Sequence, residues 1–401
     1  MAAPLEGIKV VEIANWLAAP AAAAMLRDLG ADVVKVEPPE GDVLRGIVEA
    51  MYPGKYAINP VFEVDNRGKR SVTVALDHAE GPGVVHALMR TADIVITNLT
   101  GPRLARYRLG AAEVHALNPR AVHVSLTGYG SRGPDASRPG FDYAAFWARS
   151  GIMGLVGEPG SAPMMCRSAQ GDHTTSFNLL AATLAALRLR DQTGEGQSVE
   201  VALQVTGLWT IAMDVSTALA IPEQPPRHDR ARPINPIWNT YETADGRWVL
   251  LVMPAPDAYW PSFCEMLGQA SWVDDARYDT LQHRAEHAED LTAQIAAAFA
   301  AEDAAYWGRR LDEFGLIWAP VAELPEVVAD PQLEAMEAFT AVDYGEAGSQ
   351  RTLNTPFTIR GADVRVRGRA PEVGEHSAEV LAEAGLSVLE VADLAAKGVL
   401  G

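Results

Sequence analysis

Strand-length apolar runs alternate with helical segments through the first 130 or so residues, and this alternation limits the fold more than any single residue does. Residues 8–14 (IKVVEIA) and 31–37 (ADVVKVE) bracket an Ala-rich helix at about 19–29, closed by Arg27, Asp28 and Gly30. The unit recurs as RSVTVAL (70–76), a helix at about 79–91 and ADIVITN (92–98), then short helices and RAVHVSLTG (120–128). Runs this uniformly apolar suit parallel strands buried on both faces. Right-handed crossovers make a doubly wound, Rossmann-like sheet the economical topology. Ligands in such sheets sit beyond the carboxyl ends of the strands, here near Asn15, Glu37, Asn98 and the 127–142 loop.

Further along, a long helix at 172–191 precedes TGEGQSVEVAL (193–203), read as a turn and strand, and a helix at about 204–219. Residues 221–236 (IPEQPPRHDRARPINP) lose periodicity and read as a linker. A hairpin about Ala244-Asp245-Gly246 and mostly helical segments to about 314 suggest a small α+β domain. From Trp318 the pattern returns to strand and helix alternation. The expected organisation is therefore a discontinuous large α/β domain, 1–220 with 320–401, around a linker and small domain, 221–319.

A net charge of −19 opposes binding to nucleic acid or to an anionic membrane, so neither is expected as a partner. An anionic ligand then needs a local basic pocket, for which Lys69, Arg70, Arg106 and Arg138 are the candidates. Two cysteines, Cys166 and Cys264, and no apolar run long enough for a membrane span fit a cytoplasmic protein.

Several motifs carry less than they promise. Gly128-Tyr-Gly130-Ser-Arg-Gly133 has dinucleotide-fingerprint spacing, but Pro134, Pro139 and Gly140 continue a loop where the fingerprint must open a helix. No NAD or FAD is expected. His283-Arg-Ala-Glu286-His287 matches an inverted zinc motif within a charged, solvated helix, and no metal is expected. No GxSxG elbow is present. Asp172, before an Ala/Leu-rich helix, and Asp142, where the long loop turns apolar, each read first as helix caps. A carboxylate facing the positive end of a helix dipole is also a candidate nucleophile.

The set of segments resembles a known family, the class III CoA-transferases, which includes formyl-CoA and carnitine CoA-transferases, with the related alpha-methylacyl-CoA racemases. The resemblance is carried by LEGIKVVEIA, LRDLGADVVKVEPPEGD, NRGKRSVTVAL, ADIVITN, LNPRAVHVSLTGYGSRGP, RPGFDYAAF, Gly171-Asp172, TGEGQSVEVAL and GEHSAEVLAEAGL, in one order over most of the chain. It implies that Asp172 attacks an acyl-CoA thioester, passes through an aspartyl anhydride and an aspartyl-CoA thioester, and hands CoA to an incoming carboxylic acid. It implies coenzyme A, carried in as acyl-CoA, and assembly as an interlocked homodimer. By the same resemblance Asn15, Leu17, Val74, Asn98, Leu99, Arg106, Arg138 and Asp142 are expected along the CoA channel.

Departures from the family pattern narrow this expectation. The racemases place a His where RPGFDYAA has Phe141, and a phenyl ring cannot exchange protons. The alternatives of a racemase and of a non-catalytic CoA-binding protein nevertheless stay open. Pro38 and Asp77 stand where some relatives have basic residues near the CoA phosphates, leaving Arg106, Arg138 or Lys69 for that end. No glycine-rich loop occurs between 220 and 260, and Leu17 replaces a polar residue that some transferases hold beside the acyl group.

Overall fold

Valine and isoleucine build the strands β1 Lys9–Ile13, β2 Asp32–Glu37, β3 Arg70–Thr73, β4 Ile94–Thr97, β5 Val122–Thr127 and β6 Ser198–Ala202. All six pair in parallel, in the order β3-β2-β1-β4-β5-β6. The computed structural model describes residues 1–401. Two compact units divide the chain: Met1–Gly154, Met165–Pro222 and Glu334–Gly401 form one, and Leu155–Met164 with Glu223–Leu333 the other.

The connections of the sheet run through α1 Ala18–Asp28, α2 Leu44–Met51, α3 Pro60–Asn66, α4 Gly81–Met89, α5 Gly101–Tyr107 and α6 Ala111–Leu117. After β5 a long loop leads into a π-helical turn, Asp142–Ala148, then α7 Ile152–Leu155 and α8 Gln170–Thr193. Alternation along each strand sends Val11, Ile13, Val34, Val36, Val72 and Val95 to one face. There they pack with Val85 and Leu88 of α4 and with Leu381 and Leu394 of the C-terminal helices Ser377–Glu383 and Val388–Ala396. On the other face α1 is buried along nearly its whole length and packs against α8. Its alanines explain the close approach, since they bring no bulk between the helix and its neighbours.

Glu12 and Lys35 point to that second face and stand opposite one another in the β1–β2 register. Lys35 Nζ lies 2.8 Å from Glu12 and 2.9 Å from Asp42, and Lys69 Nζ lies 2.6 Å from the other Glu12 oxygen, all with fully buried side chains. Two cations and two anions balance beneath the sheet, which is the condition for burying them at all.

One expectation from the sequence is corrected here. The helix anticipated at 204–219 is broken at Ile211 into α9 Leu203–Thr210 and α10 Ala212–Ala220. The C-terminal segment Glu334–Gly401 belongs to the same compact unit as the large sheet without adding a strand to it. Its strands, Phe339–Asp343 and Ser349–Leu353, pair only with each other. Ser349–Leu353 alternates between exposed and half-buried residues and Phe339–Asp343 buries only Val342, so neither has two apolar faces to bury in a sheet interior.

In the other unit, β7 Thr240–Glu242, β8 Trp248–Leu251 and β9 Trp318–Pro320 make an antiparallel sheet, with the β7–β8 turn at Ala244-Asp245-Gly246. Its core is aromatic, with Tyr241, Trp260, Phe263, Phe299 and Trp307 buried together. The helix Leu281–Glu286 stops before His287, so His283 and His287 do not share a continuous helix face. His283 instead bonds Asp279 at 2.6 Å. No helix is long and apolar enough to cross a membrane.

Candidate active site

β1 and β4 are neighbours from which the chain departs to opposite sides, and a parallel sheet opens a crevice at such a switch point. Asn15 and Asn98 leave the ends of these two strands and tie them together. The Asn15 N–H donates to Asn98 Oδ1 at 3.2 Å, and Asn98 Nδ2 donates to the Asn15 carbonyl at 2.7 Å. Beside them lies a cleft of about 220 Å³, lined by Trp16, Leu17, Leu99, Arg103, Arg138, Phe141 and Asp172 among others.

Trp16 adopts φ 68°, a left-handed conformation rare for a bulky residue. Its N–H points at Asp42 Oδ1, 3.4 Å away, and its ring meets Phe141 edge-on at 5.6 Å. Asp42 is thus both a member of the buried charge network and a support for the cleft wall.

Asp172 is the third residue of α8, whose cap is Ala169 at φ 67°. No side chain caps this helix, so the reading of Asp172 as an N-cap is corrected and its carboxylate is not engaged in that role. Nor does the helix terminus hold it at ordinary acidity. Burial, reinforced by the nearby Asp142 carboxylate, raises its pKa from 3.8 to about 7. A shift of this size is roughly 4 kcal/mol, more than the ~2 kcal/mol that a helix dipole supplies at best, so desolvation wins.

Asp142 opens the π-helical turn and is only 6% exposed. Its oxygens face the Ala169 and Gly171 N–H groups and the Trp147 indole, but none closes as a full hydrogen bond. Burial raises its pKa as well. On α8 the residue after the nucleophile candidate, His173, places Nε2 3.1 Å from Asp65 Oδ1. That bond to a buried carboxylate raises the His173 pKa.

The match to the model of CoA-transferase family III extends over residues 5–377. The chain belongs to that family. It is 32% identical over 384 residues to an (R)-2-hydroxy-4-methylpentanoate CoA-transferase of Clostridioides difficile, covering 95% of each chain. With a succinate–glutarate CoA-transferase of Agrobacterium fabrum it shares 33% identity over 390 residues, again 95% of each chain. Among solved structures, a CAIB/BAIF family protein from Brucella suis superposes with a TM-score of 0.85 at 32% identity, covering 96% of this chain and all of that one.

As a class III CoA-transferase the enzyme takes CoA as a substrate. Leu17, Leu99 and Leu126 line the walls of the cleft, while Arg103 and Arg138 contribute exposed guanidinium groups. Of the residues anticipated for the channel, Asn15, Leu17, Asn98, Leu99 and Arg138 line this cleft together with Asp172. Val74, Arg106 and Asp142 do not. Val74 belongs to the core on the α4 face of the sheet and is 1% exposed. Arg106 lies one turn further along α5, paired with Asp77 at 2.9 Å in solvent. Asp142 is buried behind Gly171.

Lys69 and Arg70 are likewise engaged elsewhere. Lys69 donates to Pro20, Asp65 and Asn66 below the sheet, and Arg70 pairs with Asp32, Glu379 and Glu383. The glycine pattern after β5 serves a close backbone approach: a Cβ on Gly128 would lie 2.6 Å from the Cα of Gly140. Trp16, Arg103, His173 and Asp65 were not anticipated at the site. Arg103 had a readable signal, since it stands nearer than Arg106 to the end of β4 in the same segment. Asp65 had none, because it lies 108 residues from its partner.

Proposed function

We propose that this CoA-transferase moves CoA between an acyl-CoA and a free carboxylic acid, with Asp172 as nucleophile. The Asp172 carboxylate attacks the thioester carbonyl, and the C–S bond breaks to give an aspartyl–acyl anhydride and CoA thiolate. Thiolate attack on the aspartyl carbonyl then releases the first acid and leaves an aspartyl-CoA thioester. The acceptor carboxylate displaces CoA thiolate to form a second anhydride, which the thiolate cleaves at the acceptor carbonyl. The new acyl-CoA departs and the Asp172 carboxylate is regenerated.

The observation that carries this reading is an Asp172 side chain that caps no helix, in a cleft at the switch point of a parallel sheet whose lining also includes two exposed arginines. Replacing Asp172 with Ala and following exchange between an acyl-CoA and a free acid tests it; undiminished turnover would overturn it. Incubation with acyl-CoA alone should leave a CoA-sized mass adduct on Asp172, and hydroxylamine should discharge it.

Phe141, 54% exposed on the cleft, supports transfer over alpha-proton exchange, because no proton acceptor stands where the racemases have theirs. No deuterium should enter the alpha position of a 2-methylacyl-CoA in heavy water without an acceptor acid.

The same reading includes a homodimer, interlocked as the family resemblance implies. It is supported by an open trough of about 910 Å³ along α8–α10, where Val205 and Trp209 lie exposed beside Leu208 and Val215. Light scattering at micromolar concentration should give twice the chain mass. The segments 1–220 and 320–401 are read as the CoA-binding domain and 221–319 as linker and small domain.

A further inference from the structure

Around Asp172 the wall of the cleft is apolar and aromatic. Trp16, Leu17, Pro139, Phe141 and Leu203 share the lining with Asp172, and no lysine or histidine does. The Phe141 ring stands open on the cleft, and the Trp16 ring meets it edge-on at 5.6 Å. Apolar surface left uncovered on a concave wall gains free energy when an apolar group covers it.

Contacts tie this aromatic pair to the nucleophile. Phe141 is followed by Asp142, whose Oδ1 fills the space in which a side chain at Gly171 would begin, and Gly171 precedes Asp172. The Phe141 carbonyl accepts the Ala145 N–H at 2.8 Å, which anchors the backbone from which the ring projects. Trp16 is fixed from the other side. Asp42 Oδ1 accepts its N–H at 3.4 Å and that of Leu44 at 3.0 Å, while Oδ2 pairs with the buried Lys35 at 2.9 Å. A tryptophan at φ 68° persists only where its surroundings enforce it, so this support determines where the ring stands.

A second carboxylate on the acyl chain finds no partner along this wall. The Asn98 amide is spent on Asn15. Both arginines of the lining lean on residues outside it: the Arg103 guanidinium lies 5.7 Å from the centre of the Tyr107 ring, and that of Arg138 is 3.5 Å from Asp135. His173 is outside the lining and engaged by Asp65 at 3.1 Å. Asp172 and, behind Gly171, Asp142 add negative charge at this end. A distal carboxylate would thus lose water without gaining a cation. The reacting carboxylate of the acceptor avoids most of that cost, because it arrives when Asp172 is an uncharged thioester.

We propose that Trp16 and Phe141 form the acyl-selecting wall, and that the enzyme transfers CoA between monocarboxylic acids with apolar chains and discriminates against those with a second carboxylate; this rests on the reading of Asp172 as the nucleophile.

The test compares matched donors with hexanoate as common acceptor, following hexanoyl-CoA. Butyryl-CoA and succinyl-CoA have chains of equal length and differ in ending on a methyl group or a carboxylate. The kcat/KM for butyryl-CoA should exceed that for succinyl-CoA at least tenfold, and should rise about fourfold per methylene from acetyl-CoA to butyryl-CoA. Phe141→Ala, and Trp16→Gly, in which glycine tolerates the left-handed backbone, should each lower the butyryl-to-acetyl ratio about fivefold. A ratio taken on one preparation does not depend on how much enzyme is folded. Equal rates, a preference for succinyl-CoA, or no hexanoyl-CoA from either donor would overturn the substrate class, and unchanged ratios in both variants would overturn the assignment of the wall. Full turnover by Asp172→Ala would instead overturn the nucleophile assignment and leave the donor ratios as they are, so the failures are distinct.

Discussion

Asp142 Oδ1 occupies the space in which a side chain at Gly171 would begin. A Cβ built on Gly171 would lie 2.1 Å from that oxygen and 2.4 Å from the Phe146 ring, so the glycine is what lets the π-helical turn close onto the start of α8. The glycine of the Gly-Asp dipeptide is thus a packing requirement. Gly171→Ala must push Asp142 or the first turn of α8 aside. We expect overpacking to cost about 1–3 kcal/mol, seen as a lower Tm, and CoA transfer to fall more than the stability loss explains. An unchanged Tm and rate would show that the contact yields without consequence.

Asp172 should make the enzyme less stable than it would be without it. Its folded pKa of about 7 exceeds the ordinary 3.8, so between these values the folded state binds the extra proton. Stability from this group is therefore fully present below about pH 4 and is lost as pH rises toward 7. Asp172→Asn should accordingly unfold at higher denaturant than wild type at pH 8, by roughly 2 kcal/mol, and show no such gain at pH 4. Equal stability at pH 8 would mean that the carboxylate is better solvated than its surroundings indicate.

The large sheet was legible because its strands are rich in valine and isoleucine and helical segments separate the first five of them. That Asn15, Asn98 and Asp172 line one cleft was legible because each stands where a strand ends or a helix begins. What could not be read were relationships across the sheet. Lys69 in NRGKRS has the look of a surface cation, and only the pairing of β1 with β2 and of β2 with β3 brings Glu12 within 2.6 Å of it. Val74 lies at the end of an apolar run, and nothing local says whether its side chain faces the core or a channel. The depth of Asp172 was also hidden, since the helix start suggested a stabilised anion and the packing of Asp142 and Gly171 against it decides otherwise.

Glu12 bridges Lys35 and Lys69 under the sheet, with both lysine side chains fully buried. Glu12→Gln preserves shape but leaves two buried cations facing Asp42 alone. Removing one partner of such a group costs about 3–5 kcal/mol, because the charge left behind cannot reach water. Chemical denaturation should show a midpoint lowered accordingly. The variant should also lose transfer activity before it unfolds, since Asp42 supports Trp16 and Lys69 supports Asp65. A stability within 1 kcal/mol of wild type would show the network to be worth no more than a surface pair.

Arg103 and Arg138 line the cleft without a close acidic partner for Arg103 and with only Asp135, 3.5 Å away, for Arg138. Arg106, by contrast, is outside the cleft and already paired with Asp77. If the two lining arginines receive the CoA phosphates, Arg103→Ala and Arg138→Ala should each raise KM for acyl-CoA about tenfold, the loss of roughly 1.4 kcal/mol expected for a solvent-accessible charged hydrogen bond. Their effect on kcat should be small, because the phosphates lie far from the reacting carbonyl in both ground and transition states. Arg106→Ala should leave KM within twofold. Raising ionic strength should weaken acyl-CoA binding in the wild type and less so in the Arg103→Ala, Arg138→Ala double variant, because screening acts on the charges that variant lacks. Steady-state kinetics with dephospho-CoA thioesters would separate the two sites: the arginine that holds the ribose phosphate should lose its contribution with that substrate, and the other should keep it.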